Sequence, residues 1–270
     1  MKPTFGMEER LQRQRFERKY FITERQAIQI RDLVKSYLVP DEFSAGRADF
    51  SYPVHSLYLD SQELLTYWAT VHCETKRFKL RVRFYDDDPE SPLFFEIKYR
   101  ENECVRKQRG AVRRWAGGLL LAGQLPAPEH LFGGQPHHYV ALQQFRHLVQ
   151  RLQARPMAHI AYMREAWVSP TGNSLRVTVD REVRGEARRE AIFKTGMDRP
   201  VLPFGNRRVL ELKFTDRFPD WLRNLVQHFD LLQTGAPKYC GSVAESGEAR
   251  VTAHGSFGSR EKLAQLARYC

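Results

Sequence analysis

A chain of 270 residues with 42% hydrophobic and 12% aromatic residues can build a sizeable core, in one large domain or two small ones. Its formal net charge of +11 points to polyanions as partners, a class that spans nucleic acid, acidic membrane and phosphate-rich small molecules. None of its four cysteines forms a Cys-x-x-Cys pair, the first residues carry no apolar signal core, and no apolar run is long enough to span a bilayer. No zinc knuckle, redox motif, signal peptide or membrane-spanning helix is therefore expected, and reduced thiols in a cytoplasm are the simplest reading.

A charged lead-in over 1–13 precedes a strand at 14–22. Thr23 starts a helix through the capping box Thr23-x-x-Gln26, with Ile30, Leu33, Val34 and Tyr37 on one face and Pro40 as its stop. SYPVHSLYLD (51–60) reads as a strand and 61–72 as a short helix. Strands at 76–85, 92–100 and 103–112, joined by short turns, read as an antiparallel meander. Residues 113–136 hold a short helix or a loop, and 138–153 a helix with Phe145, Leu148, Val149 and Leu152 on one face. Strands follow at 157–168, 174–181 and 207–214, with one more strand plausible within 182–206. Pro219 opens a helix that Gly235 and Pro237 close. One domain over 14–244 and a polar, loose tail over 245–270 complete the organisation.

The strands share an unusual spelling. Glu17 and Lys19, Glu96 and Lys98, and Glu211 and Lys213 each stand two residues apart, with apolar Ile97 and Leu212 inside the second and third pairs. Lys79, Arg81 and Arg83 share one face of KLRVRFY; Arg176, Thr178 and Asp180 one face of SLRVTVD; Lys107 and Arg109 are in phase, and so are Tyr162 and Arg164. For any single strand a solvated charged face over an apolar core is the simpler reading. Across the set, in-register Arg and Lys repel unless an anion lies among them. The alternative is a closed barrel with its charges inside and its apolar faces covered by helices. Such a lumen needs a matching ligand, because buried unpaired charge is costly. A linear chain of phosphates fits: arginines grip its oxygens in pairs and lysines supply point charges. The carboxylates would hold a divalent metal, since magnesium takes one or two carboxylates beside phosphate oxygens.

Taken in order, FERKYF, SLYLD, LRVRFY, FEIKY, VRKQRG, AYMREAW, LRVTVD, LELKF and KYCG resemble the VTC domain of polyphosphate polymerases, a branch of the triphosphate tunnel metalloenzyme superfamily, over residues 14 to 243. The resemblance implies an α+β fold: a closed eight-stranded antiparallel barrel with helices outside. It implies transfer of the γ-phosphoryl group of ATP to a growing polyphosphate chain, with Mn²⁺ or Mg²⁺ as cofactor. Position by position, Lys19 and Lys98 match tunnel lysines, Arg81 and Arg83 the paired arginines that grip phosphate, and Arg164 and Arg176 arginines of later strands. Lys107, or Arg106 in its place, matches a basic residue of the strand between. Glu211 matches the metal-binding carboxylate, Lys213 its neighbouring cation and Lys238 the cation after the C-terminal helix. The expected catalytic set is therefore Arg81, Arg83, Lys98, Arg164, Arg176 and Lys213. Lys19, Lys79, Lys107, Arg109 and Lys238 would bind substrate, and Glu211 and Glu96 the metal. The chain departs from the pattern at Arg15, where the superfamily has a first Glu, at Pro237, where this branch has Ser, and at Gly235, where it has a cation.

Several residues admit plainer readings. Glu96 serves equally as a salt-bridge partner for a neighbouring arginine. Glu17 reads as structural, Asp180 as orienting an arginine, and Tyr58 and Asp60 as a fold signature. His137 and His138 read as a helix start, and Trp68, Trp167 and Trp221 as packing residues. The rival functions are a hydrolase of triphosphate or short polyphosphate in the same tunnel and a module that binds polyphosphate or nucleotide without turnover. Nucleic-acid binding ranks last, because the cations alternate within strands instead of lining an outer surface. Any transport of product would need a separate membrane protein, and the sequence does not give the oligomeric state.

Overall fold

A computed structural model describes residues 15–251, apart from 103, 173 and 216. In chain order it runs β1 (Arg15–Ile22), α1 (Glu24–Val34), β2 (Val39–Pro40), β3 (Ser51–Asp60), α2 (Leu65–Val71), β4 (Lys76–Phe84), β5 (Leu93–Glu101), β6 (Cys104–Val112), α3 (Ala116–Leu121), α4 (Pro136–Leu152), β7 (Arg155–Val168), β8 (Leu175–Ala187), β9 (Arg208–Thr215), α5 (Asp220–His228), α6 (Lys238–Ser246) and α7 (Glu248–Val251). The expected lead-in and most of the expected tail lie outside the described residues.

The strands form one antiparallel sheet in the order β1-β9-β8-β7-β3-β4-β5-β6, with β2 paired to β7. The eight long strands are those expected, but the closed barrel is corrected in one respect. Among the described residues β1 and β6, the two ends of the sheet, come close without a hydrogen-bonded ladder. Side chains bridge the gap instead: Lys98 on β5 donates to Glu17 on β1, Nζ to Oε2 3.1 Å.

The apolar faces are the outer ones, and the helices cover them. Leu80, Val82, Phe84, Phe95 and Ile97 share a core with Leu142, Phe145 and Leu148 of α4. Tyr20, Ile22, Val177, Val179, Leu210 and Leu212 share another with Ile30 and Val34 of α1 and Leu222 and Leu225 of α5. Each such side chain removed from water contributes about 1.5–3 kcal/mol, which sets the phase of every strand. The charged faces are thereby turned to the opposite, inner side. Their carboxylates are not solvated: Glu96, Asp180 and Glu211 are all buried.

Several boundaries differ from expectation: β8 runs on to Ala187, past the expected 181 and into the segment expected to hold a separate strand, and α2 begins only at Leu65. The Thr23 capping box is present, but α1 stops at Val34, short of Pro40, and Pro40 instead pairs with Trp167 at the sheet edge. α5 stops at His228, well before Gly235. Structure also continues beyond residue 245, because α6 reaches Ser246 and α7 follows with Val251 buried.

α6 packs on β8 and β7, and its Tyr239, Cys240 and Val243 join Tyr58, Ile160, Val183 and Val209 in a third core that fills one end of the inner face. Gly185 on β8 permits this approach, since a Cβ there would collide with the Ser242 side chain. Gly185→Ala is expected to lower stability by about 1–3 kcal/mol. An unchanged urea midpoint would show that α6 can shift without cost.

Candidate functional site

The inner face is organised around four carboxylates, each shared by several cations. Glu96 accepts from Arg81 Nε (2.7 Å) and Arg109 Nε (2.6 Å), with Lys107 Nζ at 3.6 Å and Arg83 Nε at 4.0 Å. Asp180 binds Arg164 through both oxygens (2.7 and 2.8 Å) and Lys238 Nζ at 2.6 Å. Glu211 accepts from Lys213 (2.6 Å) and Lys238 (2.9 Å), with Arg164 at 3.5 Å and Lys19 at 3.7 Å. Glu17 pairs with Lys19 at 2.9 Å and Lys98 at 3.1 Å. Register places these groups side by side: Lys19 faces Glu211, Glu17 faces Lys213, Arg81 faces Glu96 and Arg164 faces Asp180.

Most of the expected residues therefore converge. Lys19, Arg81, Arg83, Lys98, Lys107, Arg109, Arg164, Lys213 and Lys238 share one space with Glu17, Glu96, Asp180 and Glu211, nine cations against four carboxylates. Lys107, not Arg106, faces inward; Arg106 lies over the Tyr99 ring. Arg176 stands apart from this network, bound to Asp41 Oδ2 at 2.6 Å. Lys79 lies at the filled end, donating to Cys240 Sγ at 3.4 Å.

Four further residues belong to the site. Glu17, expected to be structural, joins the β1 and β5 lysines. Tyr58 accepts from Arg81 Nη1 at 3.0 Å, and Tyr162 from Arg83 Nη2 at 3.1 Å. Asp180 orients Arg164, as expected of it, and also holds Lys238. The inner phase of Glu17, Tyr58 and Tyr162 was the available signal, but their roles depend on which strands become neighbours. Asp60 is plainly structural: it accepts the Thr66 and Tyr67 N–H groups of α2 and the Tyr239 hydroxyl.

The electrostatics follow from burial and crowding. Burial alone would raise Glu211, but Lys213, Lys238, Lys19 and Arg164 hold it well below the usual carboxylate range. Glu96 is held low against burial by Arg81, Arg83, Lys107 and Arg109. Burial and the neighbouring Lys19 and Lys213 push Lys98 down to about 8, with Glu17 opposing. Lys107 is pushed to about 7 by desolvation and then by Arg109, Arg83 and Arg81; its side chain is 46% exposed, so water offsets part of that.

The Lys98 shift has a working sign. Its folded pKa is depressed, so its contribution to stability grows as pH rises from about 8 towards the ordinary lysine value and is lost as pH falls through about 8. A bound polyanion favours the charged form. Tripolyphosphate binding at pH 8.5 is therefore expected to take up protons, and less so in Lys98→Met. Calorimetric heats that do not depend on the buffer's ionisation enthalpy would contradict this.

Among the described residues no cluster of three or more His, Cys, Asp or Glu is poised to hold a metal by itself. The donor chemistry still suits a hard divalent cation, which needs only one or two carboxylates beside phosphate oxygens. Glu211 and Glu17 lie in one network joined through Lys19, and a cation on Glu211 would take the place of Lys213. Glu96 suits it less, because guanidinium groups clamp both of its oxygens. In this arrangement Glu96 is the salt-bridge anchor that aims Arg81 and Arg109.

The VTC domain family matches residues 14–246. Similar solved structures include a candidate adenylate cyclase from Bacillus halodurans, 11% identical over 83% of this chain and 94% of that one, with a TM-score of 0.46. They also include the PH1819 protein of Pyrococcus horikoshii OT3, 9% identical over 86% and 99%, with a TM-score of 0.42. The capping enzyme triphosphatase of Mimivirus is 9% identical over 81% and 90%, with a TM-score of 0.34. No curated protein matches the chain.

Proposed function

We propose, on the premise that this chain belongs to the VTC domain family, that it is a metal-dependent polyphosphate polymerase. It transfers the γ-phosphoryl group of ATP to a growing polyphosphate chain within the space enclosed by the strands. The observation that carries this reading is the excess of cations over carboxylates on the inner face, nine against four with Arg83, Arg164 and Lys238 buried, which a chain of phosphates would neutralise.

Phosphoryl transfer asks mainly for positioning and charge neutralisation. Arg81, Arg83, Arg164 and Lys98 hold the triphosphate, with Lys19, Lys107, Arg109, Lys213 and Lys238 around it. Arg176 and Lys79 sit at the two ends, where they would meet the ligand's outer groups. Glu96 and Asp180 keep the arginines aimed before substrate arrives, so little reorganisation is needed at the moment of reaction. Glu211, with Glu17 beside it, would hold Mn²⁺ or Mg²⁺, which supplies neutralisation of charge on the transferring group. The attacking group is the terminal phosphate of the acceptor chain. It is already anionic, so no side-chain base is required.

A second reading is hydrolysis of triphosphate or short polyphosphate, or binding without turnover. One observation favours it: Tyr58, Tyr239 and Val243 pack together in the core at one end of the inner face, where a long product would otherwise pass. Incubation with ATP and Mn²⁺, with and without a short polyphosphate primer, separates the three on a polyphosphate-stained gel. A ladder that grows with ATP supports the polymerase. Free phosphate without a ladder makes the chain a hydrolase. Tripolyphosphate binding with neither product makes it a sensor.

No helix among the described residues is long and apolar enough to cross a membrane.

A further inference from the structure

At the end of the strands away from α6, four aromatic rings gather beside the cation cradle. Phe43 lies in the loop between β2 and β3 and is 57% exposed. Its ring centroid is 6.3 Å from that of Tyr85, with the planes only 9° apart, and 5.7 Å from that of Tyr52. Tyr85 meets Tyr52 at 6.3 Å and Phe94 at 5.9 Å. Arg109 ties the cluster to the cradle, because the guanidinium that grips Glu96 also lies 4.5 Å from the centre of the Phe94 ring.

The Phe43 loop is fixed, so its exposed ring is not an accident of slack chain. Asp41 N–H donates to the Ala166 carbonyl, Ser44 N–H to Asp41 Oδ1, and Ala166 N–H to Ser44 Oγ. Asp41 Oδ2 accepts from Tyr52 Oη at 3.2 Å and from Arg176 at 2.6 Å. A fixed backbone that holds a large apolar ring out in water at the rim of a basic cavity gains nothing in stability from that exposure.

The geometry points to this rim as the seat of the base of a nucleoside triphosphate, with Phe43 and Tyr85 as its stacking surface. The inference rests on the reading of the inner face as a phosphate site and extends it to the other half of the substrate. Ring faces bind any base, because every base has a π-face. Asp41 and the Tyr52 hydroxyl are already engaged with Arg176 and each other, so the ring faces are the main contact that the rim offers a base. The substrate class is thus nucleoside triphosphates without selection among bases. Arg176, outside the main cradle, is placed to meet the sugar or first phosphate.

The test compares ATP, GTP and tripolyphosphate binding by calorimetry in the full chain and in Phe43→Ala and Phe43→Trp. Phe43 is exposed, so the variants are expected to fold, which circular dichroism checks. Phe43→Ala is expected to weaken ATP and GTP about tenfold and to leave tripolyphosphate unchanged, while Phe43→Trp keeps or tightens both nucleotides. Unchanged nucleotide affinity in Phe43→Ala overturns the proposal, and so does an equal loss for tripolyphosphate. If the unaltered chain binds neither tripolyphosphate nor nucleotide, it is the phosphate reading of the inner face that fails, and the rim proposal falls with it.

Discussion

Replacing Glu211 with glutamine is expected to abolish metal-dependent turnover of ATP, by at least about a hundredfold, while metal-free binding of tripolyphosphate holds or tightens. The two effects have one origin. Glu211 is the buried hub of Lys213, Lys238, Lys19 and Arg164. Its removal takes a hard ligand from a metal and one negative charge from a cavity already rich in positive charge. Breaking a buried pair typically costs about 3–5 kcal/mol, because the partners are left desolvated. The variant should therefore melt early in phosphate-free buffer. Tripolyphosphate, entering as a replacement anion, should recover much of the loss; at a hundredfold excess over its dissociation constant a ligand contributes about 2.7 kcal/mol. Thermal melts with and without tripolyphosphate, beside an assay across a Mn²⁺ series, read all three. A variant that turns over with the normal metal dependence would remove Glu211 from the metal site. A melt that tripolyphosphate cannot raise would mean that the carboxylate serves the fold alone.

The phase of the charges was legible from the sequence, because a strand's alternation of faces is local and the apolar partner faces fix which side is buried. That is why Lys19, Arg81, Glu96, Lys98, Arg164, Glu211 and Lys213 could be expected to meet. What a single strand cannot state is who its neighbour will be. Glu17 looked structural because its partner Lys98 is 81 residues away and reaches it only across the gap between the two sheet ends. The same gap is where the expected closure by a continuous ladder fails. α6 was read only as a Lys-Tyr-Cys-Gly motif, since Gly241 and Ser242 obscure its helical period; packing on β8 over Gly185 decides its structure. The Phe43 rim lies on a loop, where no period exists to mark it.

Arg83 should behave in the opposite sense from Glu211. It is buried, and its closest carboxylate oxygen, on Glu96, is 4.0 Å away and already clamped by Arg81, while Arg109 takes the other Glu96 oxygen. Its remaining partners are hydroxyls, Tyr162 at 3.1 Å and Ser56 at 3.5 Å. Such a charge is the least compensated of the arginines on the inner face and the most available to an incoming phosphate. Arg83→Met keeps the volume and removes the charge. Tripolyphosphate and ATP affinity are expected to fall about 10–100-fold, the worth of one or two charge-assisted hydrogen bonds. Stability in phosphate-free buffer is expected to hold or to rise by up to roughly 2 kcal/mol, as when apolar groups replace buried ions. Urea unfolding beside calorimetric titration measures the pair. A large loss of stability with affinity intact would make Arg83 a structural residue and leave the cradle without its grip. A rise in stability with affinity lost would mark a residue kept at the fold's expense for binding, as expected when a local rule is broken at a functional site.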